Sequence, residues 1–220
     1  MIPIISIIGS VKSGKTFFIE ALVGELKRRK YKVGAIKHSV HSFEVDKPGK
    51  DSFRLKECGS DIGGIFSNDS IALVENLSGD EDVYKLIFDN FYSTDIVFME
   101  GYKKGKFPKI LVLTSGDIKK ETGKFGKDEI IAVVGESKVE TDLNYFGRYE
   151  IKKVADFLVE NFIKVYAEKE IELFVNNKSV VLNYQMQKVV KNVITGVVKS
   201  LKGLDEDIES IDLRYKKKKK

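Results

Sequence analysis

The sequence has very few of the residues that build disulfide-bonded or metal-binding frameworks. Cysteine occurs once among 220 residues, so no internal disulfide can form, and Cys58 has no Cys or His at metal-site spacing. We expect Cys58 to be a small core residue near a helix end. No apolar run approaches the roughly 18 residues of a membrane helix, and the chain opens on a strand-like stretch instead of a charged secretion signal. A cytoplasmic protein without membrane contact is therefore expected.

Arginine is also scarce, since only five of the 38 basic residues in the chain are arginines and the rest are lysines. The formal net charge is +5, and the lysines at 216–220 alone supply five positive charges, so the rest of the chain is neutral overall. A terminal lysine run is usually solvated and disordered. Because no basic stripe is interleaved with aromatic residues, the sequence does not favour nucleic-acid binding.

One motif dominates the amino-terminal part of the chain. Residues 9–16 read GSVKSGKT, which matches G-x-x-x-x-G-K-[ST], between an apolar stretch and a helical one. In such a loop the glycines let backbone N–H groups face a phosphate, and the positive end of the helix dipole faces the same anion. Lys15 would contact the outer phosphates, and Thr16 would bind Mg²⁺. The predicted nucleotide-binding residues here are Gly9, Ser10, Val11, Lys12, Ser13, Gly14, Lys15, Thr16 and Phe17.

A phosphate loop needs an acidic partner for magnesium at the end of a neighbouring strand, and two carboxylates flank the apolar stretch 96–99. Ligands of open α/β sheets bind at the carboxyl ends of the strands. Five strand residues span about 16–17 Å, so Asp95, at the entry, should lie on the wrong side of the sheet. Glu100, at the exit, is the predicted magnesium-side acid and, with Lys15, the predicted catalytic residue.

The loop at residues 38–50 follows the second predicted strand, on the same edge of the sheet as the phosphate loop. It contains both histidines of the chain, and His38, His41 and Asp46 could form a zinc site. Alternatively the loop senses phosphate or contacts substrate. Asp46 and Asp51 could contact Mg²⁺ through water. Candidates for an anionic substrate are Lys37, Lys50 and Arg54.

Strands and helices alternate over residues 1–165, which predicts one three-layer α/β domain around a mostly parallel sheet, the fold of phosphate-loop nucleotide-binding proteins. Buried strands are predicted at residues 2–8, 32–37, 96–99, 110–113 and 130–134. Helices are predicted at 16–30, 51–58, 83–91 and 151–162, the third of them after a capping box at 78–81. A hairpin is predicted at 61–66 and 70–74.

The pattern changes near residue 166. A hairpin at 171–175 and 180–182, a helix at 184–201 and a last strand near 208–215 predict a small β-β-α-β unit at 166–215, before the lysine tail at 216–220. This α+β unit could form a dimer, dock a partner or bind a pterin.

The base of the nucleotide is harder to identify. Residues 114–117 follow a strand where guanine-binding proteins often place an acid, here Asp117, but the lysine expected in the middle of such a motif is missing. Residues 135–138, which include Glu136, follow the next strand and are an equally placed rival.

Several motifs together resemble the MobB family, the molybdopterin-guanine dinucleotide biosynthesis adapter proteins. They are GSVKSGKT, the segment KHSVHSF that starts at Lys37, PGKDS that starts at Pro48 and precedes Arg54, and EGYK that starts at Glu100. The resemblance covers about residues 2–162. It implies GTP binding, weak or partner-dependent GTP hydrolysis, homodimerisation, and assistance to the nucleotidyltransferase that attaches GMP to molybdopterin.

The resemblance implies that Gly14, Lys15 and Thr16 bind phosphate and Mg²⁺. The candidate metal-side acids are Asp46, Asp51 and Glu100, and the further nucleotide-side candidates are Lys37, His38 and Arg54.

Two other functions compete with a GTP-binding adapter in molybdenum or tungsten cofactor synthesis. The first is a small-molecule kinase or ligase that uses ATP. Kinases usually surround the transferred phosphoryl group with several arginines, and only Arg54 and Arg148 are placed to help here. The second is an interaction protein with a vestigial loop, against which the complete Gly14-Lys15-Thr16 ending argues.

Overall fold

The computed structural model describes residues 2–41, 43, 47–77, 82–114, 123, 125–126, 129–136, 141–167, 171–176, 178–201, 208, 210–211 and 213. Its strands are β1 (Ile4–Gly9), β2 (Val33–Lys37), β3 (Ile62–Phe66), β4 (Ile71–Glu75), β5 (Ile96–Glu100), β6 (Lys109–Val112), β7 (Ile130–Gly135), β8 (Asn144–Gly147), β9 (Leu173–Val175) and β10 (Lys178–Val180). Its helices are α1 (Lys15–Arg28), α2 (Asp51–Glu57), α3 (Val83–Phe91), α4 (Ile151–Leu158), α5 (Lys164–Ala167) and α6 (Tyr184–Lys199), and a π-helical turn (Val159–Ile163) joins α4 to α5.

Six parallel strands form the central sheet, in the order β2-β5-β1-β6-β7-β8. β1 lies between β5 and β6, with Ile7 beside Glu100 on one side and beside Ile110 on the other. β1 is buried along its whole length, and β5 is buried up to its last residue. Because all six strands run the same way, their carboxyl ends meet at one edge of the sheet.

Helices cover both faces of this sheet, as the predicted three-layer fold requires. On one face Phe18 and Leu22 of α1 and Val154 of α4 join the largest apolar cluster. On the other face Ile87 of α3 packs with Val97 of β5. Each fully buried side chain of this size contributes about 1.5–3 kcal/mol. The carboxyl edge of the sheet is therefore supported by packed core on both faces.

Helix α1 begins directly at the phosphate loop. Its N-cap, Gly14, has φ +81° and ψ 22°, a left-handed conformation that glycine adopts at no steric cost. Lys27 and Arg28 lie in the last turn, beside the negative end of the helix dipole. The positive end of α1 consequently faces the carboxyl edge of the sheet.

Strand β8 is an element that the sequence pattern does not predict. It has only four residues, none of them fully buried, and lies at the edge of the sheet beside β7. Short, half-exposed edge strands lack the continuous apolar run that marks a buried parallel strand. The sheet thus has one parallel strand more than the sequence indicates.

One local prediction is corrected by the structure, and another concerns residues that it does not describe. Cys58 is exposed at the end of α2, so its prediction as a core residue is wrong. Helix α3 is capped by Asp82, whose carboxylate accepts hydrogen bonds from the backbone N–H groups of Tyr84 at 2.9 Å and Lys85 at 3.3 Å. The predicted capping box at 78–81 lies outside the described residues.

The C-terminal unit contains the predicted hairpin, β9 and β10, and the predicted helix α6. Phe174 of the hairpin packs against α3, with its ring 6.1 Å from that of Tyr84 and 5.1 Å from that of Phe88. Helix α6 is capped by Asn183 and has no buried residue. Ile208, Ile211 and Leu213 are not in a strand, and the rest of the predicted last strand, like the lysine tail, lies outside the described residues, apart from Ser210. The division into domains at residue 165 stays a prediction.

Every helix in the described part of the chain is too short or too polar to cross a lipid bilayer.

Candidate functional site

The phosphate loop forms a tight turn between β1 and α1. The Ser13 N–H donates to the Ser10 carbonyl at 3.3 Å, and Lys12 has a left-handed φ of +62°. Ser13 is fully buried, whereas Val11 and Phe17 point largely into solvent. The turn places the start of α1 directly over the carboxyl end of β1, where an anion would meet the helix dipole.

Lys15 lies over its own loop. Its Nζ donates to the Ser10 carbonyl at 2.7 Å and lies 3.5 Å from the Ser13 Oγ. Partial burial lowers the pKa of Lys15, the positive charges of Lys103 and Lys37 lower it further, and Glu100 raises it. A bound polyphosphate would reverse this balance, since an adjacent negative charge favours the ammonium form.

Thr16 and Glu100 are brought together by the pairing of β1 with β5. The Thr16 hydroxyl donates to Glu100 Oε2 at 2.8 Å, although 84 positions separate the two residues. Only 17% of the Glu100 side chain is exposed, and Lys37 Nζ approaches its Oε1 at 3.9 Å. A hydroxyl oxygen and a carboxylate oxygen this close could both serve as ligands of one Mg²⁺ ion, which prefers oxygen ligands.

Asp95, the rejected candidate, lies at the opposite end of β5. Its carboxylate accepts a hydrogen bond from the Lys32 N–H at 2.7 Å, at the entry of β2. The direction of the strands therefore separates the two acids as the sequence analysis expects.

His38 and Tyr102 form the β2 side of the site. The His38 N–H donates to the Glu100 carbonyl at 3.0 Å, and the His38 and Tyr102 rings are 4.9 Å apart. Gly101 between them has φ +89° and donates its N–H to the Ile7 carbonyl. The described residues contain no cluster of three or more metal-ligating side chains, and Asp46 of the predicted zinc alternative lies outside them.

Asp51 and Arg54 do not reach the phosphate loop. On α2 they pair with each other at 3.7 Å, and 96% of the Asp51 side chain and 76% of the Arg54 side chain are exposed. No hydrogen bond or ion pair in the described part of the chain joins either residue, or Lys50, to the loop. Their roles stay predictions.

Arg148, which the sequence analysis names only as an arginine that could help phosphoryl transfer, makes a contact with the loop that was not predicted. It follows β8, and its Nη2 donates to the Ser13 carbonyl at 3.0 Å while its Nη1 donates to Glu136 Oε1 at 2.9 Å. Only 14% of its side chain is exposed. Its position directly after a strand of the sheet could have indicated this contact, but β8 has only four residues and no continuous apolar run, so the strand itself is not predicted.

Gly9, the first residue of the loop, has no room for a side chain. A Cβ there would lie 2.4 Å from the Val112 carbonyl and 2.6 Å from the Ser13 Oγ, so the loop would have to shift. We expect Gly9→Ala to weaken nucleotide binding at least about tenfold, because the N–H groups would lose their common direction. The control is Gly24→Ala on α1, where a Cβ meets nothing within 4 Å. Equal affinities of the two variants in calorimetry would refute the expectation.

Comparison with known proteins decides the family. The model of the family described as MobB, molybdopterin guanine dinucleotide synthesis protein B, matches residues 4–136. The chain belongs to the MobB family. The matched part of this MobB chain runs from β1 through Glu136, and so contains the phosphate loop and Glu100.

Named relatives agree with this assignment. A molybdopterin-guanine dinucleotide biosynthesis adapter protein of Haemophilus influenzae is 35% identical over 164 residues, which are 74% of this chain and 90% of the relative. A crystal structure of the molybdopterin-guanine biosynthesis protein MobB covers 71% of this chain and 98% of its own, with 26% identity and a TM-score of 0.59. These relatives place the sheet and the phosphate loop within the MobB fold.

One relative extends further than the others along this MobB chain. A Methanocaldococcus jannaschii protein is 28% identical over an alignment of 223 positions, which covers 92% of this chain and 93% of the relative. Residues 1–165 are only three quarters of the chain, so that similarity continues into the C-terminal unit.

Proposed function

We propose that this protein binds GTP with Mg²⁺ and acts as an adapter when a nucleotidyltransferase attaches GMP to molybdopterin. The observation that carries the proposal is the contact of Thr16 with Glu100 beside Lys15, within the segment that matches the MobB family. Molybdopterin or its guanine dinucleotide would be bound at the same time, by the partner or by both proteins.

The site residues have separate roles in this proposal. The backbone N–H groups of the loop and the Lys15 ammonium bind the phosphates, and the Thr16 hydroxyl and the Glu100 carboxylate hold the metal ion. Mg²⁺ supplies charge neutralisation for the phosphate oxygens. Lys37 and His38 border the outer phosphates. Asp46 stays a candidate metal-side acid.

The arginines favour an adapter over a kinase. Among the described arginines, Arg148 alone hydrogen-bonds to the phosphate loop, and its guanidinium is already engaged with Glu136 and the Ser13 carbonyl. Phosphoryl transfer is usually accelerated by an arginine that contacts the transferring group, and a partner protein can supply this arginine. We therefore expect slow hydrolysis by the isolated protein.

The partner can be tested directly. Purified molybdopterin nucleotidyltransferase should co-purify with the full chain and raise its GTP turnover at least about tenfold, since the partner completes the site. Lys15→Ala should abolish the increase. Absence of a complex together with turnover that stays flat across the partner titration would rule out the adapter role.

We also expect a homodimer, which the family resemblance implies. The β3–β4 hairpin exposes large apolar side chains, with Phe66 at 83%, Ile71 at 68% and Ile65 at 60% exposure, and such a patch favours association. Phe66→Asp should shift the mass measured by light scattering toward the monomer. Val181→Asp, at an equally exposed position on the C-terminal unit, is the control. A wild-type chain that is monomeric at all concentrations would contradict the expectation.

A further inference from the structure

The proposed metal-side groups lie on one side of the phosphate loop, so the nucleoside is expected on the other. The metal-side groups Thr16 and Glu100 lie toward β5, and beyond them Lys37, His38 and Tyr102 border the β2 side. A triphosphate whose outer end lies there must extend over the loop toward β6, β7 and β8. Because neighbouring strands are about 4.8 Å apart, the carboxyl end of β7 lies about 10 Å to that side of β1.

Glu136 is the first residue after β7 and lies at this edge. Its Oε1 accepts the hydrogen bond from Arg148, and 54% of its side chain is exposed. A carboxylate offers about four acceptor positions on its two oxygens, and Arg148 uses one of them. In the part of the chain that the structure describes, no other hydrogen bond to Glu136 is formed, so none of the described residues occupies its remaining acceptor positions.

Arg148 fixes the direction of that carboxylate relative to the phosphate loop. Its backbone N–H donates to the Gly135 carbonyl at 2.8 Å, and its guanidinium joins Glu136 to the Ser13 carbonyl. A Cβ on Gly14 would lie 1.8 Å from Arg148 Nη2, so the guanidinium lies directly against the loop. Loop and acid are thereby held at a set distance, and the positive charge offsets repulsion between Glu136 and a nearby triphosphate.

We propose that Glu136, positioned by Arg148, recognises the guanine base of the nucleotide. This inference rests on the proposed function. Guanine presents two donors side by side on its edge, N1–H and N2–H₂, and a carboxylate accepts from both. Adenine presents an acceptor nitrogen and a C–H on the same edge, so the carboxylate rejects it. Glu136 is thus a specificity-determining residue, and Arg148 is a positioning residue.

The test compares GTP, ITP and ATP, because ITP differs from GTP only in lacking the 2-amino group. Calorimetry of the full chain with Mg²⁺ should give GTP at least about tenfold tighter than ITP and about a hundredfold tighter than ATP. Glu136→Gln keeps an oxygen that accepts from Arg148 but removes the pair of acceptors that would face the guanine edge. The ratio of the affinity for GTP to the affinity for ITP should therefore fall close to one. Arg148→Met should lower the same affinity ratio and also weaken the binding of all three nucleotides, since it removes the hydrogen bond from Arg148 to the Ser13 carbonyl of the loop.

Two control variants separate the alternatives. Asp117→Asn tests the rival acid, and Glu160→Gln removes an exposed carboxylate that pairs with Lys164 far from the loop; both should keep the wild-type ratio. The inference is overturned if Glu136→Gln weakens GTP, ITP and ATP by the same factor, if Asp117→Asn is the variant that removes the ratio, or if the wild type binds GTP and ITP equally. A wild type that prefers ATP overturns the proposed function itself.

Discussion

Replacing Lys15 by alanine lowers the affinity for GTP at least about a hundredfold and leaves the fold intact. Lys15 Nζ lies within hydrogen-bonding distance of the loop proposed to surround the phosphates, and a hydrogen bond to a charged group contributes about 1.5–3 kcal/mol. Two such bonds to phosphate oxygens account for a hundredfold, since 1.4 kcal/mol is a factor of ten. Stability should change little, because in the described part of the chain Lys15 hydrogen-bonds only to atoms of the loop.

The matched control for this variant is Lys27→Ala, which removes a lysine from the last turn of the same helix, α1. Calorimetry should give wild-type affinity for it, and thermal unfolding should place all three proteins within a few degrees of one another. Full GTP binding by Lys15→Ala would mean that the phosphates lie elsewhere.

Replacing Glu100 by alanine removes the dependence of GTP binding on Mg²⁺. In the wild type, the Glu100 carboxylate and the Thr16 hydroxyl are 2.8 Å apart and would supply two oxygens beside the outer phosphates of the proposed nucleotide. In the wild type, Mg²⁺ should strengthen GTP binding by a factor of about ten or more. In Glu100→Ala the metal ion would lose its protein carboxylate, so this increase should disappear. The measurement is GTP affinity with Mg²⁺ and with a chelator, in wild type and variant.

Asp95→Asn is the control because Asp95 carries the same type of side chain at the other end of β5, where it accepts a hydrogen bond from the Lys32 N–H. It should keep the Mg²⁺ effect. If Asp95→Asn lost that effect and Glu100→Ala kept it, the metal site would lie on the wrong edge of the sheet for a phosphate loop.

The part of the site that the sequence predicts is the part governed by local rules. The GSVKSGKT motif fixes the loop and the start of α1, and the run of four apolar residues before Glu100 marks a buried strand whose last residue lies on the ligand edge. Both inferences need only strand direction and the spacing of neighbouring residues. The match of residues 4–136 to the MobB family agrees with them.

The part that sequence reasoning missed depends on long-range contacts. Arg148 and Ser13 are 135 positions apart, and nothing in the spacing of either residue indicates that they meet. Their contact depends on β8, whose half-exposed residues give no apolar period. Cys58 shows the same limit, because its exposure is decided by which face of the short helix α2 packs, and α2 has no buried residue.

Arg54 shows a third limit of the sequence. Its position after the PGKDS segment makes it a candidate for an anion, but on α2 it pairs with Asp51 and 76% of its side chain is exposed.

The most direct measurement is a calorimetric titration of the full chain with GTP and with ATP, each in the presence of Mg²⁺. We expect one GTP per chain, with ATP bound about a hundredfold more weakly. Equal or tighter binding of ATP would rule out a GTP-binding adapter and favour the ATP-dependent kinase or ligase.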